Sequence, residues 1–209
     1  MTEPFCPICK TPHKLYPDSY WVHCSSCGHL LAYSKGQLED HSRKSQLLDQ
    51  SAEGLFAIGL NGRMRDRWFE IVGRVRYRYL DMEVAGHWDN WYIRFEDNTF
   101  GIIVSEGEEY YFYMKRESFT SEIPDFYALQ PGSNLNIEGY DAEVFEVGED
   151  VIEFIEGQVP KYYEPGRVAQ YVDCQFRNYF VNVEYSKEQK LVFFGLKLAP
   201  SDIEMSQTS

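Results

Sequence analysis

Two cysteine pairs near the start constrain this chain more than any other feature: Cys6 and Cys9 in "FCPICK", then Cys24 and Cys27 in "HCSSCG". Each C-x2-C loop turns two sulfurs toward one point, and two such loops supply the corners of a tetrahedron. The alternative is a disulfide framework. The opening "MTEPFCPICK" has no basic stretch followed by an apolar one, as an export leader would, and thiols in a reducing compartment rarely pair. The spacing therefore predicts a zinc site closed by Cys6, Cys9, Cys24 and Cys27, in a ribbon over residues 1–32. About thirty residues cannot bury enough apolar surface to fold alone, so the ion stands in for a core. Leu15, Tyr20 and Val22 are the small apolar supplement, and Gly28 lets the backbone curl around a sulfur. His13, His23 and His29 are nearby substitutes for one thiolate, but beside four well-spaced cysteines they read as exposed loop residues. Four thiolates leave no open position for a substrate, which makes the site structural rather than catalytic.

Beyond the ribbon, residues 33–54 are polar with poor apolar periodicity and read as a linker, with a short helix weighed over 37–50. Strand signals fill residues 55–200: "RWFEIVGRVRYRYL", "TFGIIVSEG", "EEYYFYMKRE", "VAQYVDCQF" and "KLVFFGLKL" are short, aromatic and β-branched, and separated by turn residues. The fold class is mostly β: a small zinc ribbon followed by an antiparallel β domain, barrel or sandwich-like. A faint internal echo pairs "DRWFEIVGRV" with "YDAEVFEVGEDV", and "NWYIRFEDNTFGIIV" with "NYFVNVEYSKEQKLVFF", suggesting two related modules over 55–118 and 128–200. Residues 201–209 read as a frayed tail.

The runs "GRMRDRWFEIVGRVRYRY", "WDNWYIRFEDNTFGIIVSEGEEYYFY", "LQPGSNLNIEGYDAEVFEVGED" and "PGRVAQYVDCQFRNYFVNVEYSKEQKLVFFG" resemble the uncharacterised bacterial family called domain of unknown function 4178. The resemblance covers most of 55–198 and rests on glycine turns and aromatics. It implies a bacterial, cytoplasmic, mostly β protein, in some members preceded by a zinc ribbon. It implies no activity and no catalytic residues.

Chemistry has few footholds. Outside the ribbon the histidines are His41 and His87, so a histidine-dependent enzyme would be centred on His87, two residues from Asp89; the plainer reading is a turn histidine beside an exposed Trp88. Cys174 lies on an alternating strand with no basic neighbour and reads as a buried free thiol. The many carboxylates lack calcium-loop spacing and read as solvated strand edges. No GxxxxGK[ST], GxSxG or GxGxxG run occurs. No apolar run is long enough to span a membrane.

The formal net charge is −13, unevenly spread: residues 1–80 carry 11 Lys and Arg against 8 Asp and Glu, residues 81–209 carry 9 against 25. The cations concentrate in "GRMRDRWFEIVGRVRYR". With Asp66-Arg67 as a two-residue turn, Phe69, Ile71, Val75, Tyr77 and Tyr79 point with Leu60 and Met64 to a core side. Arg63, Arg65, Arg74, Arg76 and Arg78 then share the other side with Trp68. Three readings stay open: pairing with carboxylates of neighbouring strands, docking of an acidic segment, or binding of phosphate on nucleic acid or anionic lipid. Lys10 and Lys14 alone give the ribbon a thin footprint for nucleic acid, which favours a protein partner. The expected function is that of a non-enzymatic cytoplasmic adaptor, with a nucleic-acid-binding accessory protein as the alternative and an enzyme around His87 third.

Overall fold

The computed structural model describes residues 3–41, 55–80, 86–186 and 189–206. Among these the architecture is almost purely β and antiparallel. The ribbon contributes β1 (Trp21–His23), β2 (Leu30–Ser34) and β3 (Gln37–Asp40). A first set follows: β4 (Asn61–Met64), β5 (Arg67–Tyr79), β6 (His87–Phe95), β7 (Phe100–Glu106) and β8 (Glu109–Lys115). The second set is β9 (Asn134–Ile137), β10 (Tyr140–Val159), β11 (Val168–Phe176), β12 (Tyr179–Tyr185) and β13 (Lys190–Leu198), with β14 (Ile203–Met205) closing the order.

Eight of these strands form a ring. The order β5-β6-β7-β8-β13-β12-β11-β10 runs through consecutive antiparallel pairings, and β10 pairs back onto β5 from Asp150↔Tyr79 to Gly157↔Gly73. Closure removes the unpaired edges that an open sheet would expose. It also needs sharp bends, and β-bulges supply them: β10 shifts register between Val144 and Glu146 and again between Ile152 and Phe154, and β5 shifts between Ile71 and Gly73. At the β5–β10 contact the backbones touch. A Cβ on Gly73 would sit 2.3 Å from the Gln158 carbonyl oxygen, and one on Gly157 (φ +69°) would sit 2.4 Å from that of Val72.

The pleat divides the apolar side chains among three clusters in the barrel. Val75, Tyr77, Tyr92, Ile102, Tyr113, Ile152 and Phe193 point into the ring. Phe69, Ile71, Trp91, Ile93 and Ile103 lie on the outer face of the first set, covered by Phe56 and Met64. Val144, Val172, Val181, Val183 and Val192 lie on the outer face of the second, covered by Ile123, Phe126, Leu135 and Ile137.

Three sequence expectations change here. The ribbon does not stop at 32 before a linker: β2 and β3 pair across Lys35-Gly36, so residues 33–40 belong to its hairpin, and the helix weighed over 37–50 begins on a strand. Residues 42–54 lie outside the described residues. The supposed tail 201–209 instead includes β14, which adds to β4 through Ile203↔Met64 and packs Ile203 and Met205 on the first outer cluster. The cause is that β4 offers a free backbone edge beside an apolar surface. Third, the hairpin turn after β4 is Arg65-Asp66, one residue earlier than expected, with Arg65 at φ +55° and Met64 opposite Arg67.

Candidate metal centre and the arginine strand

The two cysteine loops fold alike. In the first, the Cys6 amide donates to Thr11 O (2.9 Å) and the Lys10 amide to Cys6 O (3.0 Å); in the second, Cys24 donates to His29 O (2.9 Å) and Gly28 to Cys24 O (2.8 Å). The fifth position of each loop takes positive φ: Gly28 at 72°, and Lys10 at 64° in the place where glycine would be easiest. Lys10 Nζ reaches back to Pro7 O at 2.8 Å.

These knuckles bring the sulfurs of Cys6, Cys9, Cys24 and Cys27 within 4.8 Å of one another. No disulfide joins them. The Cys6–Cys27 and Cys9–Cys24 separations are 3.7 and 3.6 Å. A tetrahedron with Zn–S bonds of about 2.3 Å has edges of about 3.8 Å, so the donor set fits zinc in both number and spacing. The Thr11 hydroxyl and amide beside Cys9 hold its thiol down to about 6, while burial raises that of Cys24 and, against the His29 amide, burial with the neighbouring thiols pushes that of Cys27 up to about 12. The three nearby histidines stay outside the cluster. His13 is buried rather than exposed, its ring held neutral by burial, and His29 Nδ1 lies 3.1 Å from Cys27 O.

The ribbon is joined to the barrel by pairing as well as by sequence. β1 adds to the end of β10 (Trp21↔Val159, Val22↔Gln158), and Trp21, Leu30 and Ala32 enter the cluster inside the ring. Gln158 ties the joint. Its Oε1 accepts from Tyr16 N (3.1 Å) and Ser19 Oγ (2.8 Å), while its Nε2 donates to Lys14 O (2.9 Å). Phe5 and Ile8 of the first knuckle stand out, 61% and 48% exposed.

The bulge after Ile71 redraws the arginine strand. Before it, Phe69 and Ile71 face the first outer cluster; after it, Val75 and Tyr77 face the ring interior. The expected single core side is thus two sides, and the arginines divide with it. Arg63 sits opposite Trp68, which is 48% exposed, whereas Arg74 and Arg76 fall on the face that carries Ile93 and Trp91. There they are buried. Arg74 Nε and Nη2 donate to the two Asp89 oxygens at 3.0 and 2.8 Å, Arg76 does the same at 2.9 and 2.9 Å, and the Arg74 guanidinium lies 4.7 Å from the Trp91 ring. Arg78 lies 3.7 Å from Glu153 and Arg63 3.1 Å from Asp66, and Arg65 occupies the turn. Carboxylate pairing is therefore the arrangement found, and the continuous five-arginine surface is absent.

His87 is exposed, and both oxygens of its sequence neighbour Asp89 are taken by the arginines. Trp88 is not an exposed turn residue: it stacks on Tyr77 (4.0 Å, 5°) and donates its indole N–H to Asp150 at 2.9 Å. Cys174 is buried, which pushes its thiol up to about 12. The carboxylates read as solvated edges hold a surprise. Asp173 and Glu184, together with Glu106, Glu109 and Glu146, line a cavity in the open end of the ring. The available sequence signal was their phase: in "YVDCQF" and "NYFVNVEY" the acids sit on the face opposite Val172, Cys174, Val181 and Val183.

No helix among the described residues is long and apolar enough to cross a membrane. Fold and site together define a ring-closed antiparallel β barrel carrying a ribbon whose four clustered cysteines could hold a metal ion. No family model, curated protein or solved structure matches the chain.

Proposed function

We propose that this chain is a non-enzymatic cytoplasmic interaction protein, in which a zinc-closed ribbon presents its first knuckle to a protein partner and the barrel is the rigid base. The observation that carries the reading is the exposure of Phe5 and Ile8 on a loop anchored by Cys6 and Cys9. Large apolar side chains held out on an ordered tip cost little entropy to bury and mark contact surfaces. The four-thiolate donor set offers no vacant position for a reactant. Engagement of Arg74, Arg76 and Arg78 with carboxylates weighs against the nucleic-acid alternative. Kinship with the family of domain of unknown function 4178 belongs to the same proposal and contributes no activity to it.

The test is affinity purification from the source cells, with nuclease added to half of each sample. It compares the wild type with Phe5→Ser/Ile8→Ser and Cys24→Ser/Cys27→Ser. The expected result is a partner protein that survives nuclease and is lost from both variants, while the first variant keeps its zinc. A partner fully retained by Phe5→Ser/Ile8→Ser, or released by nuclease, overturns the proposal.

A further inference from the structure

The end of the barrel away from the ribbon opens into a cavity of about 240 Å³. An eight-stranded ring is wide enough for side-chain filling or for one small ligand. Here two rings lie flat on the wall over glycines. A Cβ on Gly148 would sit 2.4 Å from Tyr171, and one on Gly195 would sit 2.4 Å from Tyr113, so the glycines keep these aromatics out of the centre. Trp88, Tyr79 and Tyr111 complete the aromatic wall.

Every charged side chain in this wall is a carboxylate. Glu106, Glu109 and Glu146 stand exposed at the rim, while Asp173 and the buried Glu184 stand further in. Among the described residues only Glu109 of these five has an ion-pair partner, Lys197. Tyr79 donates to Glu106, Tyr171 to Glu146 (2.8 Å) and Asn182 to Asp173 (2.9 Å), neutral bonds that bring no opposite charge to these three.

A second observation is independent of the acids. Asn90 lines the same cavity at 3% exposure, and its Oδ1 has no hydrogen-bond partner among the described residues. A buried carbonyl oxygen without a donor costs about 1–3 kcal/mol. A compact metal ion is a poor match, because among the described residues only the four cysteines bring three or more ligand atoms within 4.8 Å. The carboxylates are spread around a wall of aromatic faces, a pattern suited to a cation with an apolar body.

We propose that the barrel cavity binds a small organic ammonium ion, with its N–H groups on Asn90 Oδ1, Asp173 and Glu184 and its alkyl part against the tyrosines and Trp88. This is a site separate from the ribbon and does not rest on the partner reading above. Burial pushes the Asp173 carboxyl up to about 7 against the donation from Asn182, and the Glu184 carboxyl up to about 7 against the pull of Arg167. A bound ammonium relieves that cost by restoring an opposite charge.

The experiment is isothermal titration of the full-length, zinc-loaded protein at pH 8 with n-butylammonium chloride, and in parallel with the neutral n-butanol. Saturable one-to-one binding of the ammonium, and none of the alcohol, is expected. Asp173→Asn/Glu184→Gln should weaken binding roughly 10–100-fold, as loss of hydrogen bonds to charged groups does. Asn90→Leu should weaken it less, and Glu149→Gln, on the outer face, should leave it unchanged. Thermal melts confirm that each variant is folded. Failure of the wild type to saturate in the tens of millimolar, equal binding of the alcohol, or full affinity in the folded double variant overturns the proposal.

Discussion

The ribbon and the barrel solve the problem of polar groups in opposite ways. In the ribbon four thiols converge from two loops of one short segment, in a cluster that could hold an ion in place of a larger core. In the barrel the polar groups arrive from seven different strands, and apolar clusters inside and outside the ring pack around them. Where the ligands are local, sequence spacing reveals the site. Where they are assembled by closure, each residue looks ordinary in its own strand.

Metal removal should separate the two regions most sharply. Zinc binding to such sites is worth about 10–16 kcal/mol at neutral pH, so chelation or Cys24→Ser should strip the ribbon of its structure. Hydrogen exchange should then rise to unprotected rates at Val22 and Leu31 while Val181 and Val183 stay protected. Loss of protection in both places would show that the barrel needs the ribbon's β1 pairing and that the two regions are one unit.

The buried arginines test the barrel's side of the contrast. Asp89→Ala removes the carboxylate that Arg74 and Arg76 share in a buried setting, leaving Arg74 only the looser Glu156 contact at 3.8 Å, and should cost about 3–5 kcal/mol in chemical denaturation. Arg63→Ala, at an exposed pair, should cost under about 1 kcal/mol. Equal effects would mean that the Asp89 pairs are solvated.

A smaller effect comes from pH. The Asp173 and Glu184 carboxyls sit near 7, above their unfolded values, so the folded chain holds more protons than the unfolded one between about pH 4.5 and 7. Their contribution is therefore present at low pH and lost as pH rises through the folded value. Between pH 6 and 8.5, where the thiolate site stays intact, barrel stability should fall with a slope that Asp173→Asn/Glu184→Gln abolishes. The total is on the order of 1–3 kcal/mol, and a flat profile in the wild type would sink it. The smallest expected change is Lys10→Gly. It removes a left-handed lysine from the first knuckle and should raise ribbon stability by under about 1 kcal/mol, read as slower zinc release to a chelator.

Legibility followed the range of the interactions. The strands of 55–200 were readable because alternation and turn residues are local, and the cysteine cluster because a C-x2-C loop is complete within four residues. The arginine face was misplaced because a bulge shifts phase by one residue, and nothing in "FEIVGRVRYR" except Gly73 marks where β10 will press against it. The acids of the cavity were passed over for a related reason. Asp173 and Glu184 occupy alternate positions that would be solvent-facing in an open sheet, and they become interior only when β10 pairs with β5.

From the sequence alone came the β class and the clustering of Cys6, Cys9, Cys24 and Cys27. Only tertiary structure decided that the sheet closes into a ring, that Arg74 and Arg76 turn inward to Asp89, and that β1 adds to β10. The physical reason is that a side chain's face depends on register and bulges, and its surroundings on which distant strand arrives beside it. Both depend on interactions between residues far apart in the chain.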